Sequence, residues 1–146
     1  MNNKKFLIVG VVFAALAFIG VPKLLLKELY KLKFNFSFPK VSQIKALEIS
    51  SPVGWRVYEQ RNESATFARL TDQGVMGPVI LVGDISNGNP CVSDKEKVES
   101  KFNTVRCDGP NQTYAYVLID YDLVVVSKNK DDGETYISSM QIKAIE

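Results

Sequence analysis

Residues 6–22 carry no charge and are apolar almost throughout, and no other feature constrains this chain more. As a helix the run rises roughly 25 Å, near the lower limit for crossing a hydrocarbon core of about 30 Å. Lys5 and Lys23 flank it, and snorkelling of their ammonium groups extends its reach. Residues 1–22 are therefore expected to be a transmembrane anchor. The rival is a secretory signal, because Ala15-Leu16-Ala17 offers small residues at the spacing a signal peptidase needs. The run continues past Ala17 through Phe18 and Ile19, which favours the anchor.

Orientation divides the residues. Five lysines (23, 27, 31, 33 and 40) follow the run and two precede it, a count that keeps the rest of the chain in the cytoplasm. The cysteine pair argues for an oxidising compartment. The expected location is a bacterial inner membrane, single pass, with the C-terminal domain in the periplasm. Secretion after cleavage near Ala17 is the alternative.

Residues 23–40 read as a basic amphipathic stalk or linker. Leu25, Leu29, Leu32 and Phe36 form one helical stripe, while Lys23, Lys27, Glu28 and Lys31 lie on other faces. Leu32, Phe34, Phe36 and Phe38 also alternate strictly, so the helix is expected to end near Lys31 and give way to an extended segment. Residues 1–40 hold seven lysines and one acid, whereas residues 41–146 hold 11 basic and 15 acidic residues, a net of −4. Nucleic acid requires a basic surface that releases counterions. The acidic domain offers none, so no nucleic-acid partner is expected.

Residues 41–146 are expected to be one β-rich domain. Trp55 to Glu59, Ala65 to Leu70 and Val79 to Ile85 read as strands between turn signals. Ser93-Asp94-Lys95-Glu96 has the form of a capping box and predicts a helix to about Thr104, with Val98, Phe102 and Val105 facing the sheet. From Thr113 to Ser127 there is no Gly or Pro, which predicts one long, bent strand. Asn129 to Gly133 then reads as a hairpin turn leading to a last strand, Thr135 to Ala144. The expected fold class is α+β: an N-terminal transmembrane helix, then an antiparallel sheet of about five strands with one inserted helix.

Cys91 and Cys107 bracket that predicted helix, and the chain can return over residues 104–107 far enough to bridge them. A disulfide closing about 16 residues is expected to contribute roughly 3 kcal/mol. Zinc is not expected, because two cysteines without a histidine leave too few soft ligands. There is no C-x-x-C redox motif.

Histidine is absent, which excludes a Ser-His-Asp triad and a Cys-His pair. No G-x-S-x-G elbow and no phosphate-binding glycine loop with its lysine occurs. Asp120 and Asp122 stand two apart on the expected strand, the spacing that puts two carboxylates on one face, as glycoside hydrolysis or a divalent cation would use. A solvent-facing strand explains them more simply. Tyr114 and Tyr116 share that face and are the aromatic residues expected to be exposed for contact. Three Asn-x-Ser/Thr triplets, at Asn35, Asn62 and Asn111, are read as accidental.

The functional expectation is a membrane-anchored envelope protein, not an enzyme. Its domain would bind another protein, a basic one for preference, as a subunit or assembly factor of an envelope or secretion machine. An anchored immunity protein or inhibitor of a toxin or hydrolase is one alternative. A small enzyme using Asp120 and Asp122 is the other. The expected partners are a protein, through Tyr114, Tyr116, Asp120 and Asp122, and the membrane, through the N-terminal helix. No cofactor, metal or small-molecule substrate is inferred.

Overall fold

The computed structural model describes residues 23–72, 74–88 and 90–145. In chain order the elements are α1 (Lys23–Ser37), β1 (Val41–Ile44), β2 (Leu47–Ser50), β3 (Trp55–Gln60), β4 (Ser64–Leu70), β5 (Met76–Asp84), β6 (Glu96–Val98), β7 (Thr104–Asp108), β8 (Tyr114–Leu118), β9 (Leu123–Ser127), α2 (Lys130–Ser139) and β10 (Gln141–Ala144). Seven strands form one antiparallel sheet in the order β3-β4-β5-β9-β8-β7-β6, and three form a second in the order β1-β2-β10. The expected five-stranded sheet with one inserted helix is thus corrected. The protein is mostly β, with two sheets, and its helices lie outside the large sheet's strand sequence.

Strands β3, β4 and β5 form one meander, and β6 to β9 form another. They join where β5 pairs with β9, from Ile80 opposite Ser127 to Asp84 opposite Leu123. Side-chain alternation then divides the sheet into two faces. Trp55, Val57, Phe67, Ile80, Val82, Tyr116, Leu118, Leu123 and Val125 point to one face, which Ile44 and Ile49 of the small sheet and Tyr136, Ile137 and Met140 cover. Trp55 meets Tyr136 edge-on at 5.2 Å between centroids, and Phe67 meets it at 5.5 Å. This is the principal core.

Four sequence expectations give way to specific local causes. The predicted helix from Ser93 does not form, because Ser93 Oγ accepts from the Asp108 amide at 2.8 Å and Glu96 pairs with Arg106. Those tertiary partners outweigh the capping box. Residues 113–127 are two strands: residues 119–121 turn the chain and Asp122 closes the turn in the left-handed region, φ 54°. Asp tolerates that conformation better than most residues, so no glycine is needed.

The expected hairpin at 129–133 is instead the start of α2, which Asn129 caps by accepting from the Asp131 and Asp132 amides at 2.8 and 3.2 Å. The last strand is correspondingly short. The stalk helix runs on through Leu32 to Ser37, with Phe34 buried and its ring 5.1 Å from that of Phe38. Phe38 in turn lies 5.7 Å from Tyr58 on β3. Near the other end of α1, Lys27 closes on Gly74, where φ is +75° and a Cβ would stand 2.9 Å from Lys27 Cγ.

No helix among the described residues is long and apolar enough to cross a membrane. α1 has 15 residues, four lysines and a glutamate, so its rise and its polarity both fall short of a span. The expected anchor or signal segment, residues 1–22, lies outside the described residues. The placement as a single-pass inner-membrane protein with a periplasmic domain, and its variant of secretion after Ala17, is corrected on this finding.

Candidate functional site

The second face of the large sheet is only partly covered. Over β7 and β8, Cys107, Ala115 and Val117 are buried together with Val124 of β9, and Ile85, Cys91, Val105 and Val126 pack around them. Towards β5 the covering stops. Val79 and Leu81 are each 43% exposed, although β5 is an interior strand with partners on both sides. Leu81 stands directly opposite Val126, and Thr66 of β4 stands on its other flank. A hollow of about 380 Å³ lined by Gly77, Pro78, Val79, Thr113, Val126 and Lys128 continues this apolar ribbon.

At the end of β5, on the covered face, an acidic corner meets the turn between β1 and β2. Asp84, the last residue of β5, has a buried carboxylate that accepts from the Ser86 amide at 2.8 Å and pairs with Lys45. The hydrogen bond from Lys45, together with that from Ser86, holds the Asp84 carboxyl below the ordinary carboxylate range, against a smaller opposing effect of burial. Lys45 is raised mainly by its hydrogen bond to Asp84, with Glu63 and Asp122 adding their charges. The charges of three carboxylates therefore act on one ammonium. The turn that presents Lys45 has it at φ 53°. The chain also closes here, with the Asp84 amide on Glu63 O at 3.0 Å and the Ile85 amide on Asp122 O at 2.9 Å.

The sequence-derived candidates separate in space. Asp120 and Asp122 are exposed on the turn between β8 and β9, and not on a strand face; of the two, Asp122 acts on Lys45. Tyr116, expected to be exposed, is fully buried on the covered face, and Tyr114 is half-buried. Burial, reinforced by the Glu134 charge, pushes the Tyr116 phenol up to about 12, and its hydroxyl donates to Lys130 O at 3.1 Å. Among these four residues only Asp120 and Asp122 offer charge to a partner.

A second hollow, about 340 Å³ beside Arg106 and Tyr116, carries less chemistry. Arg106 donates to Glu134 at 2.7 Å and to Glu96 at 2.8 Å, so two carboxylates already engage its guanidinium. Among the described residues no group of three or more acids or cysteines is arranged to hold a metal ion.

Ser42-Gln43-Ile44-Lys45 has the S-x-x-K spacing of a Ser–Lys nucleophile, a pattern the motif reading above passes over. The structure separates its two ends. Ser42 is buried in β1 with its hydroxyl on Gln60 Oε1, while Lys45 turns away to Asp84. In a helix that spacing aligns the two side chains; a strand followed by a turn does not.

Cys91 and Cys107 are joined, with Cα atoms 5.5 Å apart and 16 residues between them in sequence. The bond holds Cys91 on the second face, where Ile85 also packs. Sequence reading could not find the ribbon, because Val79-Ile80-Leu81-Val82 is apolar on both faces and reads as a strand buried on both sides. Comparison with protein-family models, curated proteins and solved structures gives no match.

Proposed function

We propose that this chain is a protein-binding module that docks an apolar strip of a basic partner along β5 and β9. The observation that carries the reading is the exposure of Val79 and Leu81 on an interior strand. An aliphatic ribbon left open in the middle of a sheet is what partner contact covers. The net of −4 over residues 41–146, together with exposed Asp120 and Asp122 on the turn that leads into β9, supports a basic partner. Subunit, assembly factor and inhibitor are all roles such a face can serve, and the partner's identity separates them.

The test is site-specific photocrosslinking of the full chain in its native host. A photoreactive residue replaces Leu81, with one at exposed Ser138 of α2 as the control. The expected result is a discrete adduct from position 81, absent from position 138, whose partner presents basic residues beside the contact. Adding Leu81→Asp to a chain carrying the photoreactive residue at Val126 should weaken labelling about tenfold or more, the loss typical of a central contact residue. Equal labelling from both positions, or none from either, would overturn the reading.

A further inference from the structure

We propose that α1 is a membrane-surface helix, whose outward apolar stripe lies in the headgroup layer of an anionic bilayer without crossing it. This face is separate from the ribbon on β5 and β9, and its role does not depend on what docks there.

The stripe turns away from the core. Leu25, Leu32 and Phe36 are 44%, 43% and 40% exposed, and Leu29 between them is half-buried. At about 100° per residue these four share one side of the helix. Phe34, 5% exposed, and Lys27, whose side chain closes on Gly74, fall on the opposite side, about 180° round. One face thus seats α1 on the domain while a second apolar face looks outward. A surface helix of a globular fold ordinarily turns its apolar stripe inward.

Charge selects the occupant. Residues 23–40 hold five lysines and one glutamate. Exposed Lys33 borders the stripe on one flank, and on the other Lys31 lies 3.7 Å from Glu28 and offsets the one acid of the segment. Lys40, also exposed, follows the Phe36 end. Residues 41–146 carry a net of −4, so the helix and the domain differ in sign. Anionic headgroups attract α1 and repel the domain, which orients the chain with its domain held off the surface.

The remaining chemistry fits a bilayer. Leucine and phenylalanine side chains enter the boundary between headgroups and acyl chains, while lysine stems lie along the apolar surface and carry their ammonium groups to the phosphates. The 15 residues of α1 are too short to span a hydrocarbon core but long enough to lie flat on it. A bilayer needs no groove to match, and the stripe stands on the convex side of a helix whose other side is already packed.

The test uses the full chain with an environment-sensitive fluorescent residue replacing Leu25, Phe36 or Tyr30, so that residues 1–22 are common to every variant. Leu25 and Phe36 mark the two ends of the stripe, and Tyr30, 43% exposed, lies between them on another side of the helix. The near-ultraviolet signal of Trp55 and Tyr136 verifies that each labelled chain is folded. Vesicles are phosphatidylcholine with about one third phosphatidylglycerol and a brominated lipid as quencher. The probes at 25 and 36 should be quenched within about twofold of each other, and about fivefold or more above the probe at 30. Lys33→Gln should weaken binding about fivefold, read from the probe at 36. Quenching at 25 that fades by 36 would overturn the proposal, because α1 would then stand upright on the surface. Equal quenching at all three positions would overturn it too, because one face would no longer be favoured. Equal quenching by phosphatidylcholine alone would overturn the anionic surface, and no quenching at all would leave an acidic protein as the occupant of the stripe.

Discussion

The ring of Tyr116 lies against the backbone of Gly133, so closely that a Cβ on Gly133 would sit 2.7 Å from Tyr116 Cε2 and 3.1 Å from Ser127 Cβ. Gly133 is inside α2, and the contact is where that helix meets β8 and β9. Tyr116 is fully buried and its hydroxyl is fixed on Lys130 O, so the ring has nowhere to retreat. Gly133→Ala gains helix propensity of up to about 1 kcal/mol. It is nevertheless expected to lose net stability by about 1–3 kcal/mol, the usual cost of overpacking. Urea unfolding decides this, and a midpoint at or above that of the parent chain would show that α2 can shift outward freely.

Tyr116 also makes stability depend on alkaline pH. Its pKa is raised from the ordinary 10.0 to about 12 by burial, so the folded chain holds its proton where the unfolded chain has lost it. The resulting stability is complete below pH 10 and is lost as pH rises towards 12. Tyr116→Phe should cost about 1 kcal/mol at neutral pH for the lost hydrogen bond, and it should flatten the alkaline decline. A decline equally steep in the Phe variant would place the titrating group elsewhere.

Asp84 acts at the opposite end of the scale. Its folded pKa lies below the ordinary 3.8, chiefly through the Lys45 hydrogen bond, so the folded chain binds fewer protons than the unfolded one. Its contribution is complete above about pH 5 and disappears as pH falls through the folded value. Asp84→Asn is expected to lower the midpoint at neutral pH and to remove part of the acid dependence. Midpoints measured at intervals down to about pH 2 provide the check, and parallel curves for the two proteins would rule Asp84 out as a source.

Much of the first meander is legible in the residues. Trp55 and Val57 alternate with Arg56 and Tyr58, and polar turn residues separate β3 from β4 and β4 from β5. The second half hides its turns. Asp122 supplies a left-handed residue where a glycine would have announced one, so two strands read as a single strand. Gly133 has the opposite effect: a glycine required by a close approach inside a helix looks like a turn glycine. Tyr136 and Ile137 enter the core from α2 and Met140 from its C-cap, whereas Met140 and Ile142 alone fit a strand pattern as well. The acidic corner is half legible: Asp122 stands out, but Glu63 and Lys45 come from two separate turns and Asp84 from the end of β5, and they meet only through the folded chain. The ribbon of Val79 and Leu81 had no signal, because exposure of one side of an apolar strand depends on what fails to cover it.

The strand order determines how the large sheet can assemble. Every neighbouring pair in it but one joins strands consecutive in the chain, and the exception is the seam between β5 and β9, whose partners lie some forty residues apart. Each meander can zip from its own turns, with little loop entropy lost at each step. The seam must bring two preformed halves together, and sequence-distant pairing of that kind slows folding. Leu81 and Val126 face each other across that seam, so the ribbon assigned to docking is also the last stretch of apolar surface the two halves bring together.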